Sequence, residues 1–244
     1  PATRSTANVG TPQGTVTALQ GGSTPLYLHT LYTDSIASPS SDVCPDTAVL
    51  TRATPVKDDN MYGSFGVSAY SYTGSWSESR TPDYFYNATA SKSGSGDYAL
   101  ASTYYWPGAS YKMKFFAYAP KDNGQYVLSG STHPGSPTIG VTIPSDVNDQ
   151  EDLLVAQTAE LAGNTNTAVA LTFNHALTAV RFVCGNDMQD GTVKSVSLKN
   201  VYSKGTYNMG TQTWSDVDTP ADFSQTLDKS TTGTPNEALT TDAQ

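Results

Sequence analysis

Hydrophobicity alternates with a period of two along much of the chain, and this feature constrains the fold more than any other. Between Ser64 and Thr73 the residues Phe65, Val67 and Ala69 occupy every second position. In Tyr111 to Ala119 apolar side chains again recur at alternate positions. This period is that of a β-strand whose successive side chains point to opposite faces of a sheet. The strands are short and separated by Gly, Pro and Asn, which predicts a β-sandwich.

The composition supports an all-β fold. Serine and threonine make up a quarter of the 244 residues, tyrosine reaches 15, and charged residues are only 14%. Helix formers are scarce, which argues against helical bundles and doubly wound α/β folds. The net charge is −9 with the 13 Lys and Arg scattered, so a nucleic-acid partner is not expected. No apolar run approaches the ~18 residues that a membrane-spanning helix requires.

The candidate strands fall into two sets. The first runs from residues 26–33 to residues 153–158, and the second begins after Gly163. The second set contains strands predicted at 168–174, 178–184, 193–202 and 207–214, and no strand is assigned to the acidic stretch 215–244. About four strands are fewer than the roughly seven of a closed sandwich. Either the second domain is incomplete here, or something outside this sequence completes its sheet.

Several phrases, taken in their order and spacing, resemble the fimbrillin family of Bacteroidales, the Mfa-like major and minor fimbrial subunits. The resemblance runs from about residue 45 to about residue 214. The phrases are Thr51 to Val56, Phe65 to Tyr70, Tyr105 to Gly108, Lys114 to Pro120, Gln150 to Ala156 and Leu171 to Phe182.

The resemblance implies two transthyretin-like β-sandwich domains in a surface lipoprotein precursor that assembles into type V pili. It implies a leader over residues 1–52, an N-terminal domain over 53–160, and the start of a C-terminal domain over 165–244. Strand 26–33 would be added to the N-terminal domain before processing. The location implied is the cell surface, with an outer-membrane anchor through a lipidated cysteine, which Cys44 is too far inside the chain to be.

The resemblance also implies a processing site. In the family an arginine-specific protease cuts after an arginine before the core domain, which here would be the bond between Arg52 and Ala53. The cut would release strand 26–33 and open a groove for the strand of a neighbouring subunit. Leu26, Leu28 and Tyr32 are the predicted inward face, although Tyr27 and Leu31 make the other face nearly as apolar. The alternative is an exposed loop arginine in a chain that is never cut.

Catalytic and metal-binding patterns are not found in the sequence, so no catalytic residue, metal ligand or cofactor is expected. None of His29, His133 and His175 has the partners of a catalytic triad. The acidic stretch 149–152 lacks the spacing of a calcium loop, and a solvated loop is favoured. Cys44 and Cys184 are expected to be two free buried thiols rather than a disulfide.

Two further surface features are open to a functional interpretation. Tyr104 to Pro107 is either an aromatic core cluster, which is favoured, or a platform for a sugar. Ser35 and Thr47 stand in short Asp-Ser/Thr-apolar triplets that resemble O-glycosylation sites of Bacteroidales.

The sequence thus favours a structural fimbrial subunit that assembles with other subunits by β-strand exchange and is not an enzyme. The alternative is a tip or surface adhesin that binds a host glycan or protein without polymerising. A hydrolase built on a sandwich is disfavoured, because no pair of catalytic groups can be identified.

Overall fold

The computed structural model of the chain describes residues 27–32, 61–92, 98–165 and 168–240. Every regular element in these ranges is a β-strand, which confirms the predicted all-β class. None of the described residues forms a helix long and apolar enough to cross a membrane. The strands are β1 Tyr27–Tyr32, β2 Ser64–Tyr72, β3 Phe85–Lys92, β4 Tyr98–Leu100, β5 Lys112–Ala119, β6 Tyr126–Leu128, β7 Thr138–Thr142, β8 Leu154–Gln157, β9 Leu161–Ala162, β10 Ala168–His175, β11 Gly191–Asn208 and β12 Thr213–Thr231.

The larger sheet has eight strands in the order β1-β10-β8-β5-β2-β3-β4, with β9 paired to β5. Its described pairs are antiparallel except for β1 and β10, which run parallel. The sheet curls so far that β1 and β4, at the two ends of this order, lie within 8 Å of each other. The curled sheet therefore encloses a core of its own.

The enclosed core is built from the alternating apolar residues of the central strands. The ring centroid of Phe65 in β2 lies 5.1 Å from that of Phe173 in β10 and 5.0 Å from that of Tyr98 in β4. These aromatic pairs join strands that are far apart in the sheet order. Other fully buried members are Val67, Ala69, Met113, Phe115, Ala117 and Leu171.

A second sheet, in the order β12-β11-β7-β6, covers the outer face of the first. Tyr70 and Phe116 of the first sheet pack there against Tyr126, Ile139 and Tyr207 of the second. Strands β2 and β5 are thus buried on both faces. For this reason the positions between their inward residues are tyrosine and phenylalanine as well as polar residues, and the alternation in the sequence is incomplete.

Strands β11 and β12 form a long hairpin that the sequence pattern does not predict. The strand predicted at 207–214 is wrong, because β11 ends at Asn208, β12 begins at Thr213, and the residues between them form the turn. The strand predicted at 178–184 is also wrong. Only a single bridge, between Val183 and Ala238, forms there.

Strand β10 lies in the curled sheet, although a domain boundary at residue 165 would place it in the second domain. It pairs with β8, and its Phe173 packs in the enclosed core. The division of the chain into 53–160 and 165–244 stays a prediction.

Candidate functional site

Strand β1 closes the curled sheet by lying in the space between β10 and β4, which we call the slot. It pairs with β10 in parallel register, from Tyr27 opposite Ala168 to Tyr32 opposite Phe173. On its other side the backbone of β4 lies within 8 Å. The strand predicted at 26–33 is therefore confirmed over Tyr27–Tyr32, whereas Leu26 and Thr33 lie outside the described residues.

The wall that β10 presents to this slot is apolar at every second position. Val169, Leu171 and Phe173 are at most 1% exposed, whereas Ala170 between them is exposed. Their register partners in β1 are Leu28, Thr30 and Tyr32. The assignment of Leu26, Leu28 and Tyr32 as the groove cover stays a prediction.

Strand β1 is not joined to the strand with which it pairs, β10, by a tight turn. Parallel strands cannot be linked by a two-residue hairpin, and parallel pairing is slightly weaker per residue. Along the chain, β1 is separated from β2 by residues 33–63.

A chain of hydrogen bonds crosses the end of the slot at which β1 finishes. Nδ1 of His175, the last residue of β10, bonds to Oδ2 of Asp152 just before β8. Since a carboxylate only accepts, the ring nitrogen carries the hydrogen. The backbone carbonyl of Asp152 accepts from the hydroxyl of Tyr62 at 2.8 Å. The backbone carbonyl of Tyr62 in turn accepts from the hydroxyl of Tyr98, the first residue of β4, at 2.5 Å.

This hydrogen-bond chain is largely shielded from water. The side chains of His175 and Asp152 are 9% and 14% exposed. Burial, reinforced by the Asp152 and Glu151 carboxylates, raises the pKa of the Tyr62 hydroxyl far above its usual range, so it stays a donor. This arrangement was not predicted from the sequence, where His175 has no recognisable partner and 149–152 is expected to be a solvated loop. No local spacing signals a pair 23 residues apart.

A second feature is a cleft of about 590 Å³ between the segment 175–182 and the β11–β12 hairpin. Its lining is mainly apolar, and two of the aromatic side chains that line it, Tyr202 and Trp214, are 65% and 37% exposed. Other lining residues are Ile143, Leu177, Val180, Val196, Leu198 and Phe223.

The remaining predicted sites divide into those that the structure describes and those that it does not. Arg52, Ala53, Ser35, Thr47 and Cys44 lie outside the described residues, and their assignments stay predictions. Cys184 is a buried free thiol.

The aromatic run 104–107 contributes to the core, as the favoured interpretation has it. The ring centroids of Tyr104 and Phe85 are 4.3 Å apart, and Trp106 is buried. Within the described ranges, no three His, Cys, Asp or Glu side chains are grouped so that they could hold a metal ion.

Comparison with known proteins gives consistent matches. A family model described as fimbrillin-like matches residues 51–242. The fimbrium subunit Fim1C of Phocaeicola vulgatus is 26% identical over 222 residues, an alignment that covers 76% of this chain and 58% of the relative. The chain thus spans little more than half the length of that relative.

A crystal structure of a fimbrial protein from Bacteroides vulgatus has a related fold. It superposes with a TM-score of 0.58 at 21% identity and covers 72% of this chain and 67% of its own. The family match includes every described strand from β2 to β12. The predicted resemblance is therefore confirmed: this chain belongs to the fimbrillin-like family.

Proposed function

We propose that the chain is a structural fimbrial subunit of the bacterial cell surface, which assembles with other subunits by replacement of β1. The observation that carries the proposal is the position of β1, a six-residue strand that closes the curled sheet against the apolar wall of β10. The names of its relatives, a fimbrium subunit and a fimbrial protein, support the same class.

The physical reason for exchange lies in what the departure of β1 would leave behind. The edge of β10 would carry a row of unpaired N–H and C=O groups, and Val169, Leu171 and Phe173 would lose their cover. Such an edge pairs readily with an added strand, which satisfies the backbone groups and fills the apolar positions. A strand from a second subunit supplies both, and no chemical step is required of the subunit itself.

The proposed trigger is a cut between Arg52 and Ala53 by an arginine-specific protease. Both residues lie in the connection 33–63 between β1 and β2, so this cut would sever the covalent link of β1 to the rest of the sheet. The lipidated precursor and its outer-membrane anchor belong to the same proposal. They rest on the family resemblance alone.

Limited proteolysis of the folded chain tests the trigger. An arginine-specific protease is expected to cut after Arg52 and to leave Arg80 intact. The Arg80 guanidinium donates to the backbone carbonyls of Thr73 and Ser75 and lies 4.6 Å from the centre of the Tyr72 ring. Cutting at Arg4 would leave β1 attached to β2.

The matched control is Arg52→Lys, which keeps the charge and removes the recognised side chain. This variant should resist the protease at position 52, and N-terminal sequencing of the product from the unmodified chain should begin at Ala53. A folded chain cut first at Arg80 or Arg181, or not cut between β1 and β2 at all, would contradict the proposed processing.

A second candidate function is a tip or surface adhesin that binds a host glycan or protein without polymerising. The exposed rings of Tyr202 and Trp214 at the cleft favour it, because aromatic side chains combine a large apolar face with a polar edge. On a glycan array, a sugar bound through this cleft should be lost with Trp214→Ala and kept with Tyr105→Ala, an exposed tyrosine outside the cleft. An array on which no sugar binds would exclude the glycan form of this function.

A further inference from the structure

The two walls of the β1 slot stand at opposite ends of the sheet order. β10 is the second strand and β4 the last, and between them run β8, β5, β2 and β3. While β1 is in place it lies between them, paired to β10 and within 8 Å of β4. When β1 leaves, β10 and β4 are not paired with each other along the seam between them, although Phe65 of β2 still packs against Phe173 of β10 and Tyr98 of β4 inside the core. A replacement strand needs the seam to keep the width of one strand.

The hydrogen bonds at the end of the slot join these two walls without using β1. They run from His175 on β10 to Asp152, from Asp152 to Tyr62, and from Tyr62 to Tyr98 on β4. Asp152 precedes β8 and Tyr62 precedes β2. The connection therefore spans from one wall to the other in three links and passes through the segments that directly precede two central strands, β8 and β2.

Tyr62 is the central member of this connection. Its hydroxyl donates to Asp152 and its carbonyl accepts from Tyr98, so it serves both walls at once. It is also the tenth residue of the chain that begins at Ala53. If the chain is cut at Arg52, the new N-terminal segment would be held at Tyr62, and β2 would stay in the sheet.

We propose that this connection, which we call the seam tie (His175, Asp152, Tyr62 and Tyr98), holds β10 and β4 one strand apart after β1 leaves, so that the slot accepts a strand of a second copy of this subunit. The proposal rests on the proposed function for the identity of the incoming strand. The tie itself is a property of the isolated chain and is testable without any cut.

The first experiment measures hydrogen–deuterium exchange in the intact chain of 244 residues. Tyr62→Phe and Tyr98→Phe each remove one hydroxyl and keep the ring, so each breaks one link of the tie. Tyr126→Phe is the matched control, because its hydroxyl donates to the carbonyl of Glu151, the residue next to Asp152, but its ring lies in the core between the two sheets. Loss of one hydrogen bond of ordinary strength raises the equilibrium constant for local opening about tenfold.

We expect Tyr62→Phe and Tyr98→Phe to raise the exchange rates of β4 and β10 amides about tenfold over those of Tyr126→Phe. The amides of β11 and β12 should change equally in all three variants. The seam tie is refuted if the three variants have the same pattern, or if exchange rises uniformly over all strands. Because Tyr62 and Tyr98 are replaced separately, loss of folding in one variant leaves the other to decide.

The second experiment uses the chain cut at Arg52 and a fluorescent peptide of residues 26–33 as the incoming strand. Tyr62→Phe should weaken binding of the peptide about tenfold or more relative to the Tyr126→Phe control. Equal binding by the two variants refutes the role of the tie in strand acceptance. If no cut occurs, the processing step is refuted, and the hydrogen–deuterium exchange experiment still tests the tie. The two failures are therefore distinguishable.

Discussion

Tyrosine side chains link the layers of this molecule through their hydroxyl groups. The hydroxyl of Tyr70 donates to the carbonyl of Gly135 at 2.9 Å, and those of Tyr86 and Tyr126 donate to the carbonyls of Ser129 and Glu151. Each bond satisfies a loop carbonyl, and the rings of Tyr70 and Tyr126 also fill the core between the two sheets, a combination that phenylalanine cannot provide. This pattern gives a physical reason for the 15 tyrosines against 7 phenylalanines.

Glu78 holds the loop between β2 and β3 against the turn before β7. One of its carboxylate oxygens accepts from the indole N–H of Trp76 at 2.7 Å, and the other accepts from the backbone N–H of Ser136 at 2.6 Å. Partial burial by itself would raise the pKa of Glu78, but these hydrogen bonds and the Ser136 hydroxyl outweigh it. The pKa of Glu78 therefore lies below its ordinary value of 4.5.

The lowered pKa predicts the pH dependence of Glu78→Gln. A carboxyl group whose pKa is lower in the folded state stabilises the fold above its unfolded pKa, and this contribution is lost as the pH falls through the folded value. At pH 7 the free energy of unfolding of the variant should be about 1 kcal/mol lower, because the amide nitrogen of the glutamine would face a hydrogen-bond donor. The loss is no larger because the site is largely exposed to solvent. That corresponds to about 2 to 4 °C in Tm.

Thermal unfolding from pH 7 to pH 3 measures this difference. The gap in Tm between the unmodified chain and Glu78→Gln should be constant above about pH 5.5 and should close below pH 4.5. Glu151→Gln is the control, since Glu151 is an exposed carboxylate whose partner is the side-chain amide of Asn123. A gap that does not depend on pH would show that Glu78 acts by shape rather than by charge.

At the scale of the strand, sequence periodicity predicted the strands that have one consistent environment. β2 and β5 were predicted because their inward residues are uniformly apolar, and β1 because a run of apolar and β-branched residues stands between polar loops. The partner of β1 could not be predicted. Parallel pairing with β10 joins segments more than a hundred residues apart, and nothing local encodes it.

Strand β12 was not predicted because it lacks a uniformly apolar face and is rich in aspartate, a residue that is depleted in strands. In β12 the acidic residues lie on an edge strand, where charge discourages pairing with other chains. Two of them form ion pairs with lysines of β11: Lys194 bonds to Asp228 at 2.8 Å and Lys199 to Asp222 at 2.9 Å. The seam tie was missed likewise, since it is assembled from residues of four separate elements.

At the scale of the whole molecule, the curled sheet depends on β1 for closure. Chains that lack residues 1–52 would present β10 as an open edge and uncover Val169, Leu171 and Phe173. Partial exposure of these three large apolar side chains costs about 4 kcal/mol by area. This is a large fraction of the stability of an ordinary domain. It should lower Tm by about 10 °C.

A peptide of residues 26–33 should restore the lost stability when it is added to the shortened chain, because a ligand that binds only the folded state raises Tm with its concentration. A peptide of the same composition in scrambled order is the control, since its apolar residues no longer fall at alternate positions against β10. Differential scanning calorimetry over a range of peptide concentrations measures both effects. If the shortened chain melts at the temperature of the intact one, β1 does not stabilise the sheet and strand replacement loses its driving force. If both peptides raise Tm equally, apolar association alone explains the rescue, and the slot does not select a strand by its register.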